Sequence, residues 1–374
     1  MSAAAMRRMM VAVACTVATD GAPVAVPHHG ASATALFSLD PSWRPALPAG
    51  GHTYSAIGIS RTGSAFLTQR GNTSVPPVLV LDTKTGALTG GWGSTAVGIA
   101  TKGNSSTWGS HGVAVEDDGS GSGNVRVWVE DFTGHTVTAF TPTGHVLAVV
   151  GTKGVAGNGT DPLQFGNVAD AAIVPPSTPG GRSTVYATDG DGGYANRVVK
   201  FSAALPPPST ALVEASVTVE WVTPHSFSSP HSIALHQRTN LVVVADRGHN
   251  ATRLLDAATG KDLGVWNCGL DFGLRGVPFG VRTLARGPHD LVLVASMDNP
   301  QDHKYQYIHV LDASKLSAGF GAASPCQVLQ TIEIDPAEYS GPHLLGIDPV
   351  SADLYAVLVA DAPLSTVLRY RFSP

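Results

Sequence analysis

Charge is scarce in this chain. Charged residues make up 14% of 374 positions, against 43% hydrophobic, so a large core is available and disorder is excluded. The 23 Lys and Arg form no cluster and the net charge is −5, which excludes a basic footprint for nucleic acid or for an anionic membrane surface. Long hydrophobic runs are missing too. The apolar stretch from Met9 to Ala18 is about half a membrane span, and nothing after it is long enough to cross as a helix. Cysteine is rare, with three in all, and Cys15 falls inside that first stretch. The remaining Cys268 and Cys326 either pair or stay as two buried thiols.

Arg7 and Arg8 precede the Met9–Ala18 stretch and small residues follow it, the pattern of a secretory signal peptide. A disordered extension or an organelle transit peptide remains the alternative. We read residues 1–22 as the signal, 23–50 as an extension and 51–374 as one repeat domain. N-x-S/T sequons begin at Asn72, Asn104, Asn158 and Asn250 and fit a secretory route weakly.

What is plentiful is turn chemistry. The 42 Gly and 26 Pro are scattered between short apolar runs, as expected for many strands joined by tight turns. One pattern recurs: an apolar strand opening, a turn, an alternating V-x-V strand ending in Asp, then a third strand ending in an aromatic residue or Leu. It is clearest in PHSIALHQRTNLVVVADRGHNATRLLD (Pro230 to Asp256), and returns from Ser110 to Phe140, Val168 to Phe201 and Gly341 to Phe372. Weaker copies open at Ala56 and at Val277. HVLAVVG, SVTVEW and KDLGVW supply fourth strands, and ALFSLD (Ala35 to Asp40) is a candidate closing strand. Six copies of period-two strands predict an all-β, six-bladed β-propeller.

His111, His231 and His343 occupy one repeat position, the opening of the innermost strand, in blades two, four and six. Alternate blades place three such side chains around the axis. Three imidazoles with one position left open is the ligand set of catalytic zinc. Ile57, Asp170 and Phe279 stand at or near the same position in the other blades. The other eleven of the 14 histidines read as ordinary hydrogen-bonded residues.

The repeats resemble the NHL-type propeller, and within it the peptidyl-α-hydroxyglycine α-amidating lyase family. The resemblance covers about Ile57 to Phe372 and is carried by Arg70-Gly71, SHGVAV at His111, DGGYANRVVKF around Tyr194, PHSIAL…VADR from His231 to Arg247, and GPHLLGID at His343. It implies a Zn2+ on the three histidines, with Arg70 and Tyr194 facing the substrate and Arg247 close by. It also implies cleavage of peptides ending in α-hydroxyglycine to a peptide amide and glyoxylate. The copper monooxygenase that makes this substrate would act in trans. The chain departs from the family at several points, one of them a stretch from Tyr194 to Arg197 that is a residue shorter than the family's. Asp191-Gly192-Gly193 intervenes before Tyr194, where the family's tyrosine follows Asp-Gly directly; the family's neighbouring cysteine is Ala195 here; and the aspartate of a structural calcium, otherwise completed by carbonyls at the positions of Ile57 and Val113, is Leu344. Calcium is therefore expected to be weak or absent unless Asp348 supplies the carboxylate. Tyr194 is nevertheless expected to turn toward the metal. Two other readings are a non-catalytic propeller that binds a protein or glycan, and a lactonase-like propeller, which would need acidic residues where this chain has histidine.

Overall fold

The computed structural model describes residues 35–48, 53–70, 74–93, 109–117, 125–178, 180–205, 216–273, 276–298, 306–317, 319, 321–359 and 365–374. The signal-peptide segment and the sequons at Asn72 and Asn104 lie outside them. Asn158 and Asn250 are exposed.

The described residues form six four-stranded antiparallel sheets, the blades of a propeller. Blade 1 runs through Thr53–Ile59, Ser64–Arg70, Val78–Asp82 and Leu88–Trp92. Blade 2 uses Ser110–Asp117, Val125–Asp131, Thr136–Phe140 and Val146–Val150. Blade 3 uses Val168–Val174, Arg182–Asp189, Arg197–Ala204 and Ser216–Val222. Blade 4 uses Pro230–His236, Leu241–Asp246, Ala251–Asp256 and Asp262–Val265. Blade 5 uses Val277–Arg286, His289–Met297, Gln306–Asp312 and Gln327–Glu333. Blade 6 has Pro342–Ile347, Leu354–Leu358 and Thr366–Phe372, and its outer strand is Phe37–Leu39 from the other end of the chain. ALFSLD is thus the closing strand, as read from its sequence.

The period-two pattern explains where the core lies. A blade's two faces both meet a neighbour, so residues on both faces are apolar. Six clusters of buried side chains fill the six seams between adjacent blades. Each fully buried Val, Leu or Phe contributes about 1.5–3 kcal/mol by leaving water. In blades 2, 3 and 4 the second strand ends in Asp, and its carboxylate accepts backbone N–H groups of a neighbouring turn. Asp131 accepts from Gly134 N, Asp189 from Gly166 N and Asn167 N, and Asp246 from Ser228 N. The terminal Asp thus ties the strand end to the following turn in blade 2 and to the segment entering the innermost strand in blades 3 and 4.

Every innermost strand carries an irregularity at the same place. Pairing with the second strand slips at Tyr54/Ala56, Ser110/Gly112, Val168/Asp170, Pro230/Ser232, Pro278/Gly280 and Pro342/Leu345. The unpaired residues are Ser55, His111, Ala169, His231, Phe279 and, in blade 6, His343 with Leu344. A bulge re-aims a side chain and frees its backbone from the ladder. The true equivalents of the histidines in the odd blades are therefore Ser55, Ala169 and Phe279, which corrects the placement of Ile57 and Asp170. The slip costs one residue of register, which strand alternation alone does not reveal.

Candidate metal centre

The bulges aim the three histidines at one point. His111 and His231 are wholly buried and His343 is 3% exposed. One ring nitrogen from each lies within 4.8 Å of the others, so the group could hold a single metal ion. Their ring centroids are 4.6–4.9 Å apart.

The odd blades set the tautomers. His111 Nδ1 donates to Ala169 O at 2.8 Å, His231 Nδ1 to Phe279 O at 2.7 Å, and His343 Nδ1 to Ser55 O at 2.7 Å. Each acceptor is the bulged residue of the next blade, whose carbonyl is free because it has left the ladder. With the proton on Nδ1, each Nε2 carries a lone pair toward the axis. Such an outer hydrogen bond orients the ring and raises its basicity toward a metal. Burial pushes the pKa of His231 well below the ordinary imidazole value, opposed by Asp191 and reinforced by Arg247 and His111. Burial does the same to His343, reinforced by His231, His111 and Arg70. Neutral imidazole is the ligand form, so the folded protein holds these two ready for a cation.

Three charged groups reach the histidines from the ends of second strands, which open on the same face. Arg70 ends Ser64–Arg70 and is 9% exposed. Burial lowers its pKa to about 10, with Asp191 opposing the shift and Arg247 adding to it. Arg247 follows Leu241–Asp246, lies over the Phe279 ring at 5.0 Å and places Nη2 2.6 Å from Asp191 Oδ1. Asp191 is wholly buried, and its Oδ2 is 3.3 Å from His111 Nε2. Burial alone would raise its pKa, but Arg247, His111 and His231 together hold it well below the usual carboxylate range.

Tyr194 is not among them. It is 46% exposed, and its ring lies against Gly166, where an added Cβ would meet Tyr194 Cδ1 at 2.0 Å. The expectation that it turns toward the metal is not met. The cause is the inserted Asp191-Gly192-Gly193. Asn167 O accepts from Gly190 N and Asp191 N, Gly190 O accepts from Gly193 N, and φ is 79° at Gly192 and 91° at Gly193. That turn points Asp191 inward and carries Tyr194 out. The sequence held the signal, since Asp191 stands where the family's tyrosine follows Asp-Gly.

Beneath the histidines the channel holds a second charged layer that sequence reading missed. Asp170 is buried and pairs with Arg282 Nη1 at 2.7 Å and with Ser232 Oγ at 2.6 Å. Glu130 is buried beside it, and neither carboxylate oxygen has a hydrogen-bond partner. It fits because residue 112 is glycine: a Cβ there would lie 2.5 Å from Glu130 Oε2. Farther along, Ile57, Val113, Ala171, Ile233 and Arg282 line a cavity of about 200 Å³. Leu344 is wholly buried in an apolar cluster with Ala56, Phe66 and Val113. Asp348 is engaged in its own turn, accepting from Val350 N at 2.7 Å and Ser351 N at 3.1 Å.

No family model matches the chain. It is 30% identical to human NHL repeat-containing protein 3 over 351 residues, covering 90% of this chain and 84% of that protein. The mouse NHL repeat-containing protein 3 is 29% identical over 352 residues, with the same coverage of each. The chain belongs to the NHL repeat-containing protein 3 family. The six-bladed propeller seen in the geometry is therefore of NHL type by homology. Among solved structures, the calcium-binding protein regucalcin from Agrobacterium tumefaciens aligns over 88% of this chain and 95% of its own, with a TM-score of 0.49 and 14% identity.

Proposed function

We propose that this propeller is a zinc-dependent lyase that cleaves peptides ending in α-hydroxyglycine to a peptide amide and glyoxylate. The observation that carries the reading is the convergence of three buried imidazoles, His111, His231 and His343, with Arg70 and Arg247 beside them. In this reaction the carbinol C–N bond breaks, the carbon becomes the aldehyde of glyoxylate, and the hydroxyl proton ends on the amide nitrogen. A bound zinc polarises oxygen and lowers the pKa of a hydroxyl. In this reading Arg70 and Arg247 would seat the substrate's carboxylate by paired, charge-assisted hydrogen bonds. Tyr194 has no part in this version, because it lies at the surface.

The partners follow from the chemistry. The substrate is a hydroxyglycine-extended peptide, and a copper monooxygenase acting in trans makes it. The compartment proposed is the secretory lumen or the cell exterior, and a disulfide between Cys268 and Cys326 supports it. The outward position of Tyr194 favours a second reading, a non-catalytic propeller that binds a protein or glycan.

The test joins metal analysis to glyoxylate release from a hydroxyglycine-extended peptide. The lyase reading expects one zinc per chain and turnover, both lost in His231→Ala. Arg70→Ala is expected to cut turnover at least about tenfold while keeping the zinc. Stoichiometric metal with no glyoxylate from any such peptide would favour the binding module.

A further inference from the structure

We propose that Asp191 is an internal stand-in for a ligand's carboxylate: it fills the anion seat between Arg247 and the histidines, and a ligand enters by bringing a carboxylate that displaces it. The inference rests on the carboxylate seat of the reading above and names the residue that guards it.

Asp191 Oδ1 lies 2.6 Å from Arg247 Nη2 and Oδ2 lies 3.3 Å from His111 Nε2, so the carboxylate spans the guanidinium and the histidine group. Its charge also reaches Arg70 and His231. These are the charge-assisted contacts that a ligand's carboxylate would make on arriving at the centre. The Arg247 side chain is 21% exposed and that of Asp191 not at all, so the guanidinium is approachable from solvent while its partner is not. Two carboxylates within a few ångströms of each other in a buried site cannot both stay ionised. A ligand's carboxylate takes the seat only when Asp191 leaves it.

The turn that carries Asp191 allows it to leave. Its entry is fixed, because a Cβ at Gly190 would lie 2.6 Å from Pro230 Cδ and 2.7 Å from Asn196 Cα. Its exit is open: Gly192 and Gly193 are exposed, and a Cβ at Gly193 would meet nothing within 4 Å. Glycine backbone also reaches angles that other residues disfavour. Between the two ends, Asn167 O accepts from Asp191 N at 3.2 Å and Asn167 Nδ2 donates to Asp191 O at 2.7 Å. Water can replace both bonds when the turn swings out. Charge then decides what displaces it. Removing Asp191 with nothing in its place strips Arg247 of its carboxylate partner, which is unfavourable. Exchange of one carboxylate for another leaves the charge as it was. A neutral end does not, so a peptide amide, the product of the proposed reaction, has no means of reopening the seat.

The test uses the full chain and two probes. One is N-acetyl-phenylalanyl-glycine, which lacks the hydroxyl and is not cleaved; the other is the same peptide as its C-terminal amide. Calorimetry measures both on the unmodified protein and on Asp191→Asn, which keeps the shape and loses the charge. The acid should bind Asp191→Asn at least about tenfold more tightly than the unmodified protein, and the amide should bind the two proteins alike. Hydrogen exchange on the unmodified protein needs no variant to fold. Saturating acid should speed exchange across residues 186–197, as Asp191 N leaves Asn167 O, and the amide should not. Acid affinity that is unchanged or weaker in Asp191→Asn, or exchange that does not respond to bound acid, would overturn the proposal. If glyoxylate is released from the hydroxylated peptide all the same, the lyase reading survives that failure. The tenfold gain without any glyoxylate would sink the lyase reading and leave the guarded seat standing. Binding of neither probe to either protein would overturn both.

Discussion

Glu130 is the least comfortable side chain in the channel, and its discomfort is measurable. Its pKa is raised well above the ordinary 4.5, first by burial and then by the charge of Asp170. Below about pH 4.5 the folded and unfolded chains both hold the proton, and the group has no pH-dependent cost. As pH rises above that value the unfolded chain releases its proton while the native chain retains it. The native state then binds more protons, so stability falls with rising pH until the native pKa is passed. Glu130→Gln has the same shape and no proton to lose. We expect it to stabilise the protein by about 1–3 kcal/mol at pH 7.5 and by close to nothing at pH 4.5. Melting temperatures at both values check this, and an equal effect at the two pH values would show that ionisation is not the cause. Residues at the site differed in how visible they were beforehand. His111, His231 and His343 could be read because they share one phase of a repeat. Arg70 and Arg247 were legible only through the family resemblance, and the structure puts them at and just after the ends of second strands. Tyr194 was misplaced because a three-residue insertion redirects a turn, and Glu130 was invisible because only the missing side chain of Gly112 admits it.

At the scale of the element, the strand Phe37–Leu39 does the most for its length. It pairs with Thr366–Phe372, and Gln330 of blade 5 bonds both backbone groups of Phe37, at 2.9 and 2.7 Å. Asp40 then takes Arg371 Nε at 2.9 Å. Without this strand, blade 6 would have three strands and the seam with blade 5 would lose Phe37. Phe37 is 2% exposed and packs among Leu284, Ile334, Leu345 and Tyr370 from two blades. Phe37→Ala should therefore cost about 3–5 kcal/mol, read as a lower urea midpoint. An unchanged midpoint would mean that the closing strand is dispensable. The strands themselves were legible, because alternation and Asp-ended turns follow from local physics. The bulges were not, because an extra residue on an inner strand leaves the alternation on either side intact. Only the neighbouring strand shows that the pairing has slipped, which is why Ile57 and Asp170 were matched to the histidines in place of Ser55 and Ala169.

Across the whole molecule, closure is threefold in character. Even blades supply the imidazoles and odd blades supply the carbonyls that orient them, so each ligand depends on the seam it shares with the next blade. Metal binding should then respond to damage at the axis and be indifferent to damage at the rim. The disulfide offers a rim perturbation. Cys268 follows the outer strand of blade 4, Cys326 precedes that of blade 5, and the two are 58 residues apart in sequence. Both lie against the cluster that holds Trp266 and Phe272. A crosslink at that separation restricts the unfolded chain and stabilises the fold by about 2–4 kcal/mol. Cys268→Ser with Cys326→Ser should lower the melting temperature, and reduction of the unmodified protein should lower it comparably. Zinc affinity should stay as it was, because the bridge joins segments beside the outer strands of blades 4 and 5 and the histidines lie on innermost strands. A melting temperature that does not move would show that the bridge adds nothing to stability. A loss of zinc matching the loss of stability would show that rim and axis are one cooperative unit, and that the seam-by-seam account of the centre is wrong.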